Sequence, residues 1–124
     1  SFFSFCCATL ESSTIKTFLT NYNKDWQDFF NLNDKNVYNY YFKDSSILKE
    51  IKEFNKPNYN IEFDKLNIIK ILEDNNNLEV YVNEYYIQRK NDKKINVNTK
   101  VKYELLKNEG SFKIINYQII SQSR

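Results

Sequence analysis

The stretch INVNTKVKYELL, residues 95–106, decides how the chain folds. Val97, Thr99, Val101, Tyr103 and Leu105 alternate there with Asn98, Lys100, Lys102 and Glu104. A period of two held over that length predicts a strand with one buried and one wet face. Strand-like runs recur over residues 60–72, 78–89 and 111–121. Between them lies turn material: Glu73-Asp74-Asn75-Asn76-Asn77, Lys90-Asn91-Asp92-Lys93-Lys94 and Lys107-Asn108-Glu109-Gly110. Short, evenly spaced turns predict a four-stranded antiparallel meander.

Upstream of Pro57 the period changes to that of a helix. Ile15, Phe18, Leu19, Tyr22, Trp26, Phe29 and Phe30 follow the i, i+3, i+4, i+7 pattern over residues 12–31. This predicts a long amphipathic helix with an aromatic face, capped by Ser12, Ser13 or Thr14 and ended by Asn31 with Asn33. Asp34 can open a second helix that buries Val37, Tyr38, Tyr41 and Phe42. Ser45 or Ser46 can open a third, with Ile47, Ile51 and Phe54 inward and Lys49, Glu50, Lys52 and Glu53 outward. Pro57 stops that helix, because it pushes the residue before it out of helical geometry. N-terminal helices packed on a curved four-stranded meander make an α+β domain over residues 12–124, preceded by an apolar arm at 1–11. A helix laid across the inner face of such a sheet makes a cone, closed at one end and often hollow.

Composition narrows the chemistry. The 124 residues suffice for one domain, and 41% hydrophobic with 17% aromatic content is too apolar for a disordered segment. A single Gly excludes a Gly-rich phosphate loop. The absence of His excludes imidazole acid–base chemistry, Ser-His and Cys-His pairs, and His-ligated zinc. Eighteen basic against sixteen acidic residues, with Arg89 and Arg124 the only arginines, give no nucleic-acid footprint. No metal site and no cofactor are expected. Asn fills roughly one position in seven, far above usual usage, and with the Lys and Ile content this reads as codon drift in an AT-rich genome.

A chain with no Met is expected to be a processed or excised piece of something longer. The opening SFFSFCCATL is too short for a membrane span and lacks a signal peptide's charged start and cleavage site. It reads either as the outer end of a truncated membrane or signal segment, or as an arm packed on its own domain or a neighbour. Membrane contact is thus expected only through a segment ahead of Ser1. Cys6 and Cys7 are adjacent, so they bond each other only in a strained ring. They read as packing residues, with an intermolecular disulfide or lipid attachment as the alternative.

Asn33-Asp34, Tyr41-Phe42 and Asp44-Ser45-Ser46 in the helical half, with Val80-Tyr81-Val82-Asn83-Glu84, Tyr103-Glu104-Leu105 and Gly110-Ser111-Phe112-Lys113-Ile114 in the strand half, form a familiar set. Over about residues 12–120 the chain resembles the NTF2-like (cystatin-like cone) superfamily. More closely, it resembles the C-terminal extracellular domain of teicoplanin-resistance-associated and zinc-ribbon membrane proteins of Gram-positive bacteria. Phe112 stands where that family usually carries Trp. The resemblance implies the cone and an extracytoplasmic setting, membrane-anchored or secreted. It implies no reaction, because the catalytic residues of the superfamily's isomerases and dehydratases have no counterparts here.

Glu84 is the one carboxylate predicted to point inward, since it shares parity with Val80, Val82 and Tyr86. In an apolar pocket its pKa would rise and it could act as a general base. Alternatively it lies at the rim and pairs with Lys100 or Lys102 across the sheet. Tyr22, Trp26, Tyr41, Tyr86 and Tyr103 can line a cavity with it or simply fill the core. An open cavity would suit a small apolar ligand or a peptide. Arg89, Lys90, Lys93 and Lys94 at one hairpin tip can touch anionic cell-wall polymer or headgroups, or form a solvated turn.

The expected function is that of a non-enzymatic extracytoplasmic binding or assembly domain of a membrane or cell-envelope protein. A small-molecule isomerase-like enzyme or carrier using Glu84, and a protein-binding immunity or inhibitor module, are the alternatives. In the last strand Phe112, Ile114 and Ile120 have one parity and Ile115, Tyr117 and Ile119 the other, so both faces read as apolar. A homodimer or protein partner is therefore expected across the outer face, burying Tyr85, Ile115 and Tyr117. The alternative is a monomer shielded by Tyr hydroxyls and Lys stems.

Overall fold

The computed structural model describes the backbone of residues 2–124 and the side chains from Glu11 onward. The first element, α1 (Phe2–Leu32), is a 31-residue helix. No Gly or Pro interrupts it, so nothing ends it before Asn33. Asn33 takes a left-handed φ of 58° and donates its amide to the Phe29 carbonyl at 2.9 Å, the αL helix stop. One expectation changes here: Ser12, Ser13 and Thr14 lie inside the helix instead of capping it. The backbone of residues 2–11 is helical and continuous with the rest of α1. The side chains of residues 1–10, Cys6 and Cys7 among them, lie outside the described residues.

Asp34 does open the next turn, its Oδ1 accepting the Asn36 amide at 2.9 Å. The turn itself is a 3-10 helix, Asn36–Tyr40, where an α-helix was expected. Five residues barely make one α-turn, and the chain must be extended again by Tyr41 (φ −120°, ψ 154°). In α2 (Ser46–Lys52) the Ser45 hydroxyl caps the Leu48 amide at 3.4 Å. Leu48 and Ile51 are buried there, and Ile47 is only partly so.

The sheet consists of β1 (Asn60–Asp74), β2 (Asn77–Lys90), β3 (Lys93–Asn108) and β4 (Ser111–Ser123), each antiparallel to the next in the order β1-β2-β3-β4. All four expected strands are present and slightly longer, because the turns shrink to two residues. Asn75-Asn76, Asn91-Asp92 and Glu109-Gly110 make them, with left-handed φ at Asn75, Asn91, Glu109 and Gly110. Asn and Gly tolerate that geometry, which is why turn residues sit there.

One face of the sheet carries the core. Val80 and Val82 of β2 with Val101, Tyr103 and Leu105 of β3 join Ile15, Leu19 and Tyr22 of α1 in a single buried cluster. The end of α1 is also tied to the edge strand β1. Asn31 exchanges two hydrogen bonds with the Ile61 backbone (2.7 and 2.9 Å), and Gln27 Oε1 accepts the Phe63 amide at 2.8 Å. These amides satisfy backbone groups that an edge strand would otherwise expose. No helix among the described residues is long and apolar enough to cross a membrane.

The last strand corrects the sequence reading. Glu104 opposes Asn116 but Leu105 opposes Ile114, and Lys100 opposes Ser121 but Val101 opposes Ile119. Ile115 and Ile120 are therefore extra residues in bulges, and each bulge flips the parity of the residues after it. Tyr117 and Ile119 oppose Tyr103 and Val101 and share their helix-side face. Tyr117 is thus not on the outer face with Tyr85 and Ile115. Ile115, beside Leu72, Glu79 and Glu104, does lie on that outer face.

Candidate functional site

Between α1 and the covered face of the sheet is an open cavity of about 180 Å³. The helix and all four strands contribute to it, mostly through residues that the regular periods place there. Tyr22, Asn23, Trp26 and Phe30 come from α1, Glu84, Tyr86 and Gln88 from β2, and Val97, Thr99, Val101 and Tyr103 from β3. Ile61 of β1 and Tyr117, Ile119 and Gln122 of β4 complete the wall. Tyr117 and Ile119 remain 37% and 56% exposed, so β4 forms the mouth. The Gln122 amide donates to the Thr99 hydroxyl at 3.0 Å beside it.

Glu84 is buried in this wall at 6% exposure. Its neighbours across the strands are Leu66 and Thr99, so the expected ion pair with Lys100 or Lys102 does not form. Lys102 instead stands 3.5 Å from Glu79 on the other face. Two donors converge on one oxygen of Glu84. Tyr103 donates its hydroxyl to Oε2 in a short bond, and Asn23 Nδ2 donates to the same atom at 2.9 Å. Asn23 is itself held: its Nδ2 also reaches the Leu19 carbonyl at 2.8 Å, and its Oδ1 accepts the Tyr86 hydroxyl at 2.6 Å.

Burial raises the Glu84 pKa to about 7, against the pull of the Tyr103 and Asn23 hydrogen bonds, which favour the anion. Burial also pushes the hydroxyls of Tyr22, Tyr86 and Tyr103 up, and the nearby Glu84 charge adds to this. These phenols therefore stay protonated, and Glu84 is the group that titrates near neutrality. Among the described residues, no three His, Cys, Asp or Glu side chains lie together as a metal site would need.

Comparison of the chain with protein-family models, with curated proteins and with solved structures gives no match.

Of the six residues expected to line a cavity, Tyr22, Trp26, Glu84, Tyr86 and Tyr103 come together. Tyr41 does not line it. It packs behind Tyr22, with the two hydroxyls 2.5 Å apart and its pKa also raised by burial. Sequence reading missed Asn23, the polar residue beside Tyr22 on the aromatic helix. Its signal was an amide at the edge of an otherwise aromatic stripe. It also missed Tyr117, whose parity the bulge reversed. At the basic hairpin tip, Arg89 stands 3.5 Å from Glu62, and Lys90 and Lys93 flank the turn.

Proposed function

We propose that the chain is a non-enzymatic binding domain of the NTF2-like kind, serving a bacterial membrane or cell-envelope protein outside the cytoplasm, and that its ligand enters the cavity at Glu84. The observation that carries this reading is an open cavity whose fifteen described lining residues include six aromatics and a single carboxyl, that of Glu84. The protonatable groups favour holding over turnover. The Tyr103 hydroxyl is spent on Glu84 and the Tyr86 hydroxyl on Asn23, so neither is free to polarise a substrate. The envelope setting rests on the residues of the resemblance and on the α+β arrangement.

Trp26 is the only tryptophan and lines the cavity, so its emission reports occupancy. A fragment set of small ring compounds should shift that emission in the wild-type chain and not in Thr99→Phe, which fills the cavity. Equal responses in both chains would refute a ligand in the cavity. Surface labelling of intact cells expressing the protein tests the setting, and labelling only after lysis would refute it.

A second reading is favoured by one observation. A buried carboxyl titrating near 7 in an open pocket suits a general base. It requires turnover, such as deuterium exchange next to a small ketone's carbonyl, that Glu84→Gln abolishes.

A further inference from the structure

We infer that the cavity selects a small alkylated ammonium ion, with Glu84 as its counter-ion and the surrounding rings as its cage. This rests on the reading of the cavity as a ligand site and names the ligand class. Among the described residues, four tyrosines, one tryptophan and one phenylalanine line the cavity, and Glu84 is the only charged one in the lining. Aromatic faces attract cations, most strongly where water is displaced, and cages of such rings suit quaternary ammonium groups. Tyr22 packs on two other rings of the lining, with ring centroids 6.5 Å from Trp26 and 6.0 Å from Tyr103. The volume fits as well: a cavity of about 150 Å³ takes benzene, and this one, at about 180 Å³, takes a compact head group.

Alkylation follows from the hydrogen-bond inventory. An ammonium with N–H groups must find an acceptor for each in the cavity or lose them to desolvation. Among the described residues the wall offers one carboxyl, whose Oε2 already accepts from Tyr103 and Asn23, and beyond it only neutral acceptors such as the Gln88 and Gln122 amides and the Thr99 hydroxyl, set among rings and aliphatic side chains. A tetra-alkylated nitrogen has no N–H to satisfy. It is also weakly hydrated, which lowers the cost of bringing a charge beside buried Glu84.

The ionisable groups around Glu84 are few. Tyr22 on α1, Tyr41 after the 3-10 turn, Tyr86 on β2 and Tyr103 on β3 feel its charge, and Tyr117 on β4 feels that of Glu50 on α2. Lys56 stands 5.5 Å from the Phe30 ring but does not line the cavity, and it donates to the carbonyls of Pro57 and Tyr59. The tyrosines stay neutral through the physiological range, so ligand affinity should follow Glu84 alone. Cation binding requires the carboxylate, so affinity is full above the Glu84 pKa and falls as pH drops below it.

The test titrates the full chain with tetramethylammonium and choline at pH 8 and pH 6, following Trp26 emission and heat. The control is 3,3-dimethylbutan-1-ol, a neutral molecule of choline's shape. The cations should bind at least about tenfold tighter than the alcohol and lose about tenfold in affinity between pH 8 and pH 6. Glu84→Gln, checked for an intact fold by circular dichroism, should erase both the preference and the pH dependence. Tyr103→Phe removes a bond that favours the anion, so it should keep cation binding and move the pH midpoint upward. If the alcohol binds as tightly as the cations, the cavity remains a ligand site and the ammonium assignment is overturned. If neither the alcohol nor the cations bind, while the small ring compounds do, the ammonium assignment alone falls; if nothing binds, both readings fall.

Discussion

The two faces of this sheet both carry tyrosines, and the chain uses them in opposite ways. On the helix side, Tyr103 is buried and Tyr86 half-buried, and they spend their hydroxyls on Glu84 and Asn23. On the outer side, Tyr81 and Tyr85 lie beneath ammonium groups, with Lys70 Nζ 4.5 Å and Lys65 Nζ 5.2 Å from the ring centroids. The same residue type thus anchors a buried polar network on one face and shields itself with lysine stems on the other. Ring count alone does not mark an interface. What matters is whether water has already been excluded, and by what.

The sharpest way to break this contrast is to truncate both faces. Leu19→Ala, at a fully buried position in the core cluster, should cost roughly 2–5 kcal/mol in urea unfolding. Tyr81→Ala or Tyr85→Ala should cost below about 1 kcal/mol and leave the mass by light scattering unchanged. A large outer-face cost accompanied by a change of mass would show that a second copy covers that face. Trp26→Ala should fall between these limits, because its ring is only partly buried at the cavity.

An intermediate effect concerns the charge within the covered face. The Glu84 pKa is higher in the folded chain, about 7, than its ordinary 4.5, so the native state holds the proton more tightly than the unfolded one. Stability should therefore fall as pH rises from about 4.5 to 7, by an amount approaching 3 kcal/mol, and stay lower above that. Glu84→Gln should remove this loss: it should be more stable than wild type at pH 8 and nearly equal at pH 4.5. Denaturant midpoints that run parallel in the two chains across this range would show that Glu84 is not desolvated.

The smallest effect sharpens how the faces are aligned. Glu109 holds a left-handed φ of 50° before Gly110 in the turn that sets where β4 begins. Glu109→Asn supplies a residue at home in that geometry and should stabilise by about 0.5–1 kcal/mol in thermal unfolding. A loss of stability would mean that the Glu109 side chain has a role the turn geometry does not reveal.

The amino-acid sequence by itself determined the four strands, the long aromatic helix, the turn positions and the inward direction of Glu84. Each follows from a local period or a residue's backbone preference, and none needs a distant partner. Five of the six expected cavity residues came from those periods, Tyr22 and Trp26 from the helix and Glu84, Tyr86 and Tyr103 from the strands. Tertiary structure decided the rest. Whether Glu84 would meet Lys102 or Tyr103 depended on the register of β2 against β3, which sets Glu84 opposite Thr99, and Asn23 gained its meaning only by meeting a carboxyl 61 residues away. Local periodicity places a side chain relative to its neighbours in sequence, whereas a bulge is an agreement between two strands. Ile115 and Ile120 are apolar in a strand of apolar residues, so nothing local marked them as the extra ones. Only pairing with β3 did, and that pairing carried Tyr117 from the outer face to the mouth of the cavity.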